Sequence, residues 1–332
     1  MRVAVIGAGG IGSLHAALLA DLGGVEEVLV VDTDAVRAGT VAARTGCRAC
    51  GLEEAIEQAD ALVVSTPPAL HAQAVIPALA AGRSVLCEKP LSEDLDESIR
   101  MAALGGHLEV GFQRRHDAAF VAARDASRGA LIHLVHMTAL DPVSVPRTAE
   151  SWPAGEAAPV FLHSSVHDFD FVRWLTGQEV VEVTADGSRR DASRPDDPRG
   201  IESAVVLMRL SDGALASLDA TWLHPGGYDV RAEIVTDREH LTMGLSAHTP
   251  ARHLDWALGE PATPTAWAGY VDRFQAAYRN ELVAFLAAAR GESAPVTKGR
   301  DGVEALRIAI AATRSFVERR TVRLDEVAPA VA

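Results

Sequence analysis

The sequence predicts an α/β protein in two parts: an N-terminal doubly wound Rossmann domain over residues 1–120, and a C-terminal α+β domain over 121–332 with a large, mostly antiparallel open sheet. Three observations lead there. Short apolar runs (Val3 to Ile6, Val28 to Val31, Ala61 to Ser65, Ser84 to Cys87, Leu108 to Gly111) are separated by Ala/Leu-rich segments at helical spacing, such as Ser13 to Leu22 and His71 to Ala81. Strands that are apolar on both faces, with helices between them, belong to a parallel sheet covered on both sides. A G-x-G-x-x-G sequence, Gly7 to Gly12, follows the first run and opens the first helical segment. Beyond about residue 125 the runs lengthen to Leu131 to Ala139, Val180 to Ala185, Ile201 to Leu210, Ala214 to Trp222 and Asp229 to Thr236. Turn signals such as Ser211-Asp212-Gly213 separate the last three, as in antiparallel hairpins.

Each remaining segment has a place in that plan. In Ile201 to Leu210 both alternating sets of side chains are apolar, so both faces of the second sheet are expected to be covered. The domain's own helices can take one face, and a second subunit the other, so a homodimer or homotetramer is expected. Asp191 to Gly200, with two prolines and three aspartates, reads as an exposed hairpin loop. Tyr270 to Ala289 and Gly302 to Phe316 are helical patterns joined by a Gly/Pro-containing loop, which pack on the sheet or bridge back to the first domain.

Charge and composition narrow the function. Lys and Arg number 31 against 45 Asp and Glu, a net charge of −14, and no basic run suggests a nucleic-acid or anionic-membrane surface. A small-molecule partner is expected instead. No segment reaches the roughly 20 apolar residues of a membrane span, and the first residues already form a strand and glycine turn rather than a signal peptide. With only three cysteines, a cytoplasmic location is expected. Cys47 and Cys50 make a CxxC, but before a turn and not at a helix start, so they read as ordinary small residues around a short strand.

Gly7, Gly9, Gly10, Ile11 and Gly12 form the expected dinucleotide loop. Gly7 permits the tight turn, Gly9 lets backbone approach a pyrophosphate, and Gly12 allows close helix packing, with a helix N-terminus facing the phosphates. Asp32 stands twenty residues after Gly12, where a carboxylate binds the adenosine ribose hydroxyls and repels a 2′-phosphate. Thr33 and Asp34 follow it with no arginine adjacent, so NAD is expected rather than NADP. Thr66-Pro67-Pro68 falls at the carboxyl edge of the sheet, where such folds bind ligands, and His71 reads as a support for that nucleotide loop.

Two stretches carry the reacting groups. Glu88-Lys89-Pro90 ends the buried run Ser84 to Cys87, which places a cation at the ligand edge; taken alone, a surface Glu–Lys pair is the better account of these three residues. The stretch HSSVHDFDFVRWL, residues 163–175, read as one helix, sets His163 and His167 four positions apart on one face. Such a pair can hold a metal, with Asp168 or Asp141 as further ligands, but it lacks the glutamate of a hydrolytic HExxH motif. It can also move a proton, or consist of two structural histidines.

The N-terminal glycine motif, STPPALHAQAVIPALAAGRSVLCEKPLS (65–92), GFQRRHD (111–117), VHDFDFVRWLTG (166–177) and AYRNELVAFLAAARG (277–291) together resemble the glucose–fructose oxidoreductase/inositol dehydrogenase/MocA family. The resemblance covers nearly the whole chain, and the bacterial inositol 2-dehydrogenases look most similar. It implies that Lys89 is catalytic and contacts the reacting hydroxyl, with Glu88 beside the cofactor, and that His167 exchanges the hydroxyl proton. An imidazole of ordinary pKa, about 6.5, suits proton exchange; a lysine starts near about 10.4 and needs burial or a positive nicotinamide ring to lower it. In such relatives an aspartate usually precedes the histidine by four residues, and here His163 stands there instead. It cannot supply a constant negative charge, but it can bind a hydroxyl or hold His167, so altered substrate choice or a changed pH profile is expected.

Asp141, where inositol-type relatives place a substrate contact, is a further candidate for the substrate, and Arg114, after the last strand of the first domain, for neutralising a phosphate or the substrate. Trp222, His224 and Tyr228 either wall the pocket or anchor a loop. The expected function is an NAD-dependent oxidoreductase acting on a secondary hydroxyl of a cyclitol or sugar, with no metal. The alternatives are a non-redox glycoside-cleaving enzyme that uses bound NAD transiently, and an NAD-binding sensor impaired by the missing aspartate.

Overall fold

Strand β1 (Arg2–Ile6) runs down the centre of the first unit because its residues beyond Arg2 are apolar and buried on both sides. Around it lie β2 (Glu27–Val31), β3 (Arg48–Ala49), β4 (Ala61–Val64), β5 (Ser84–Glu88) and β6 (Leu108–Gly111), in a six-stranded sheet of order β3-β2-β1-β4-β5-β6. All its pairings are parallel. The order reverses direction at β1 and β4, so the carboxyl ends of these strands form the crevice in which doubly wound folds bind ligands.

Local chemistry sets the helix bounds. Helix α1 (Gly10–Ala20) starts at Gly9 with no side-chain cap. By contrast, α2 (Ala35–Thr45) is capped by Asp34, whose carboxylate accepts the N–H groups of Val36 and Arg37, and it stops at Gly46 with φ of 72°. After α3 (Leu52–Gln58) and α4 (His71–Ala80), Asp94 caps α5 (Leu95–Ala103), and in the second unit Asp117 caps α6 (Ala118–Ala126) in the same way.

The computed structural model describes residues 1–142, 158–188, 201–246, 248–250 and 266–327. The expected hairpin loop over Asp191 to Gly200 lies outside the described residues. The chain divides into two units: Met1–His116 with Ala276–Leu306, and Asp117–Gln275 with Arg307–Ala328. Helices α9 (Tyr270–Ala289) and α10 (Gly299–Glu318) therefore contribute to both. The division in α9 falls beside Phe274, whose φ of −115° and ψ of 15° kink the helix. Leu282, Phe285 and Leu286 of α9 complete the core of the first unit against Val3, Val5 and Leu19.

The second unit holds a seven-stranded sheet of order β12-β11-β7-β10-β9-β8-β13. Its strands are β7 (Ile132–Pro142), β8 (Val180–Ser188), β9 (Ser203–Leu210), β10 (Leu215–His224), β11 (Asp229–Thr236), β12 (His240–Met243) and β13 (Val322–Arg323). Every pairing is antiparallel except β10 with β7. Two helices, α7 (Pro159–His163) and α8 (Val166–Thr176), belong to this unit. Within β9, Ala204, Val206, Met208 and Leu210 are buried, whereas Val205 and Leu207 are 52% and 57% exposed. One face of the strand is thus covered within the chain and the second apolar set faces outward, the face expected to meet a second subunit.

Candidate active site

The glycine loop has the form a dinucleotide needs. Gly7 takes φ of 100°, and a Cβ there would stand 2.7 Å from the Ser65 carbonyl oxygen. A Cβ on Gly12 would fall 1.8 Å from the Gly7 carbonyl oxygen, so α1 can lie this close to β1 only as glycine. Gly9 and Gly10 face open space, and the uncapped first turn of α1 leaves its N–H groups for an anion. Asp32, at the end of β2, accepts the Ala8 N–H at 2.8 Å and the Asp34 N–H at 2.8 Å. Burial pushes its carboxyl up, but the N–H groups of Asp34 and Ala8 and the Arg37 guanidinium outweigh burial and hold it below its ordinary value.

Arg37 is the residue that sequence neighbours do not announce. One turn into α2, its Nη1 reaches Asp32 Oδ1 at 3.3 Å. It is half exposed, and a ribose diol can take its place on the carboxylate. The loop, the uncapped helix and the ionised Asp32 thus fit a dinucleotide with a free 2′-hydroxyl.

At the neighbouring strand ends, Lys89 is half-buried and Pro90 buried directly after β5, joined by a cis peptide bond. Glu88 is held on both oxygens: Oε1 lies 2.9 Å from His15 Nε2, and Oε2 accepts the Lys89 N–H at 3.2 Å. His71 joins two loops, with Nε2 2.9 Å from the Thr66 carbonyl oxygen and Nδ1 3.1 Å from that of Leu91. Burial lowers its pKa, so the neutral ring donates to one of these carbonyls and ties the Thr66-Pro67 turn to the segment after Lys89. Arg114 is buried in the turn after β6. His15 was not among the expected site residues; the available signal was a histidine one turn past Gly12 on a helix that must lie against the strand ends.

In the second unit the stretch 163–175 is not one helix. The α-helical ladder breaks at Ser164 and Ser165: both donate their N–H to Val160, and His167 N–H reaches Ser164 at 3.4 Å instead of His163. His163 ends α7 and His167 sits in the first turn of α8, both half-buried. Between them Ser164 accepts the Trp222 indole N–H at 2.7 Å, and its hydroxyl lies 3.3 Å from Asp141 Oδ2. Asp141 at the end of β7 is thereby tied to the turn linking the two histidines. Trp222 is part of this tether. His224 and Tyr228 act as loop anchors, His224 on the Gly227 carbonyl at 2.7 Å and the Tyr228 N–H on that of Trp267.

Among the described residues no group of three or more His, Cys, Asp or Glu side chains is placed to hold a metal. The thiols of Cys47 and Cys50 are both pushed up by burial, the opposite of an activated redox pair. Also among the described residues, no helix is long and apolar enough to cross a membrane.

A Rossmann unit with an intact phosphate loop and an acidic ribose site, followed by a unit with a large mixed sheet, defines an NAD-binding oxidoreductase. Residues 1–116 match the profile of the oxidoreductase family's NAD-binding Rossmann fold, and residues 131–324 that of its C-terminal alpha/beta domain. The chain belongs to the glucose–fructose oxidoreductase/inositol dehydrogenase/MocA family. It is 36% identical over 330 residues to a myo-inositol dehydrogenase of Streptomyces leeuwenhoekii, covering 95% of this chain and 97% of that one. It is 31% identical to an inositol 2-dehydrogenase of Rhizobium meliloti, covering 98% and 99%. The crystal structure of a probable dehydrogenase from Thermotoga maritima superposes with a TM-score of 0.89 at 29% identity, covering 99% of this chain and all of the other.

Proposed function

We propose that this protein oxidises a secondary hydroxyl of a cyclitol, or of a closely similar sugar, with NAD as hydride acceptor. The observation that carries the reading is an ammonium directly after β5 and an imidazole on α8, in a chain similar along its length to proteins named inositol dehydrogenases.

Bound NAD supplies the ring that accepts hydride from the carbinol carbon. Lys89 orients the reacting hydroxyl and stabilises negative charge as it develops on that oxygen. His167 takes the hydroxyl proton, so the products are a ketone, NADH and a proton that leaves through the imidazole. Asp141 and His163 bind neighbouring hydroxyls, and Arg114 adds positive charge near the ring. Gly7, Gly9, Gly10, Ile11, Gly12, Asp32, Thr66, Pro67, His71 and Glu88 form or support the cofactor site. The names of the relatives favour dehydrogenation over glycoside cleavage or sensing.

The chain is proposed to work in the cytoplasm as a homo-oligomer whose subunits cover the outward set Val205, Leu207 and Leu215. Light scattering that returns the mass of a single chain would contradict that assembly. For the chemistry, purified protein with NAD and a panel of inositols and pyranoses is expected to produce NADH. His167→Ala should then lose about 10²- to 10⁴-fold in turnover while NAD binding stays nearly intact. Unchanged turnover in that variant removes His167 from the reaction. Aryl-glycoside cleavage without NADH would favour the non-redox reading.

A further inference from the structure

One buried carboxyl of the first unit is not used by the chemistry above. Glu281, on α9, is 2% exposed, and neither of its oxygens has a hydrogen-bond partner. The same face of the helix carries Tyr278, whose ring meets His15 edge-on at 5.8 Å, and Phe285, packed 5.5 Å from the His107 ring. Glu281 therefore lies on the face of α9 that meets His15 of α1 and His107 just before β6.

The carboxyls that act on it, Glu88 and Glu109, already accept donors. Glu88 accepts the Lys89 N–H and meets His15 Nε2. Glu109 meets His107 Nε2 at 2.9 Å on one oxygen and takes the N–H groups of Val296 and Thr297 on the other. Glu281 has no such donor. Of the other titratable groups around these strand ends, Arg115 pairs with Asp301, and burial lowers His116 to about 4, leaving it uncharged near neutral pH. Among the described residues, Glu88 and Glu109 are acids whose charge acts on Glu281. Three enclosed carboxyls, two of them provided with donors, leave the third as the one that keeps its proton.

We propose that Glu281 is a positioning residue: a neutral carboxylic acid whose proton keeps Glu88 seated against His15 and the Lys89 backbone. Ionising Glu281 would enclose a further negative charge with Glu88. Glu88 would then be driven from its donors, and the turn that carries Lys89 would move with it. Room for this is tight, since a Cβ at Gly111 would already stand 3.1 Å from Glu88 Oε2. The inference rests on the reading of Lys89 as a catalytic residue.

Burial, and then the charges of Glu88 and Glu109, raise the Glu281 carboxyl well above its ordinary value. From the ordinary carboxylate range up to that raised value, the folded chain holds a proton that the unfolded chain has released. Stability therefore falls as pH rises through this window. Glu281→Gln keeps the neutral shape and removes the titration.

The test compares wild type, Glu281→Gln and Glu281→Ala by thermal unfolding without cofactor, and by kcat and KM with NAD and a cyclitol, from about pH 5 to about pH 9. The melting temperature of Glu281→Gln relative to wild type should climb steadily with pH. The alkaline limb of its kcat profile should move up by about one pH unit or more, a tenfold change in proton affinity, with the KM for NAD little changed. Glu281→Ala, which leaves a void, should lose stability at every pH. A melting difference that does not vary with pH shows that Glu281 carries no extra proton, and coincident alkaline limbs show that its proton does not act on Lys89; either result overturns the proposal. If wild type turns over no cyclitol, the unfolding arm still reads Glu281, and that failure falls on the proposed function instead.

Discussion

At the scale of single residues, cofactor choice is proposed to turn on one carboxylate, Asp32, and the guanidinium of Arg37 beside it. A carboxylate offers about four lone-pair sites, and Asp32 uses them on the N–H groups of Ala8 and Asp34 and on Arg37. A ribose diol bound at Asp32 would compete with Arg37, the contact that comes from a half-exposed side chain and not from backbone. Asp32→Ala should therefore weaken NAD binding and leave Arg37 unpaired beside the 2′ position, so that NADP gains relative to NAD. Titrating each cofactor into that variant checks this, and an unchanged preference would count against the assignment of Asp32. Asp32 was legible in the sequence because its distance from the glycine loop is fixed by one strand, one helix and a turn. Arg37 was not, since its contact depends on where the Asp34 cap starts α2 and which face the first turn then presents. Glu281 was still less visible: a glutamate in an amphipathic helix reads as a solvated face until the helix is seen to bury it.

At the scale of elements, the strand–loop–helix unit around Gly7 to Gly12 separates folding from binding. Gly12→Ala would force a methyl group to 1.8 Å from the Gly7 carbonyl oxygen, so α1 must shift, with loss of stability as well as of NAD binding. Gly9 has φ of −72° and open space beyond it. Gly9→Ala should unfold within about 0.5 kcal/mol of wild type and yet bind NAD at least about tenfold more weakly, because the methyl occupies the approach of the pyrophosphate. Calorimetric unfolding alongside NAD titration checks the pair; equal losses in both measurements would mean the loop serves packing alone. Elements of this kind were readable. Asp229–Thr236 and Tyr270–Ala289 fall where their patterns put them. β12 and β13, four and two residues long, are too short to show a period. The break at Ser164 was hidden for a different reason: the apolar spacing of 163–175 runs straight across it, and only the Trp222 and Asp141 contacts to Ser164 give the turn a purpose.

At the scale of the whole molecule, the two-part plan follows from a change of period along the chain, continuous apolar runs giving way to longer strands joined by hairpin turns. What period cannot show is where the chain returns. α9 and α10 each contribute to both units, because their apolar faces have no sequence mark that says which sheet they meet. The outward side chains of β9 likewise look like core in sequence and are exposed in a single chain. The proposed reaction moves hydride from a carbinol carbon to the cofactor while Lys89 and His167 handle the oxygen and its proton. The most direct measurement is isotope transfer: wild-type protein, NAD and a panel of inositols and pyranoses carrying deuterium on their ring carbons, with the cofactor recovered and weighed by mass spectrometry. Reduced cofactor carrying one deuterium from at least one cyclitol or similar sugar is expected. Cofactor recovered oxidised and unlabelled from the entire panel, by protein shown to bind NAD, would contradict it.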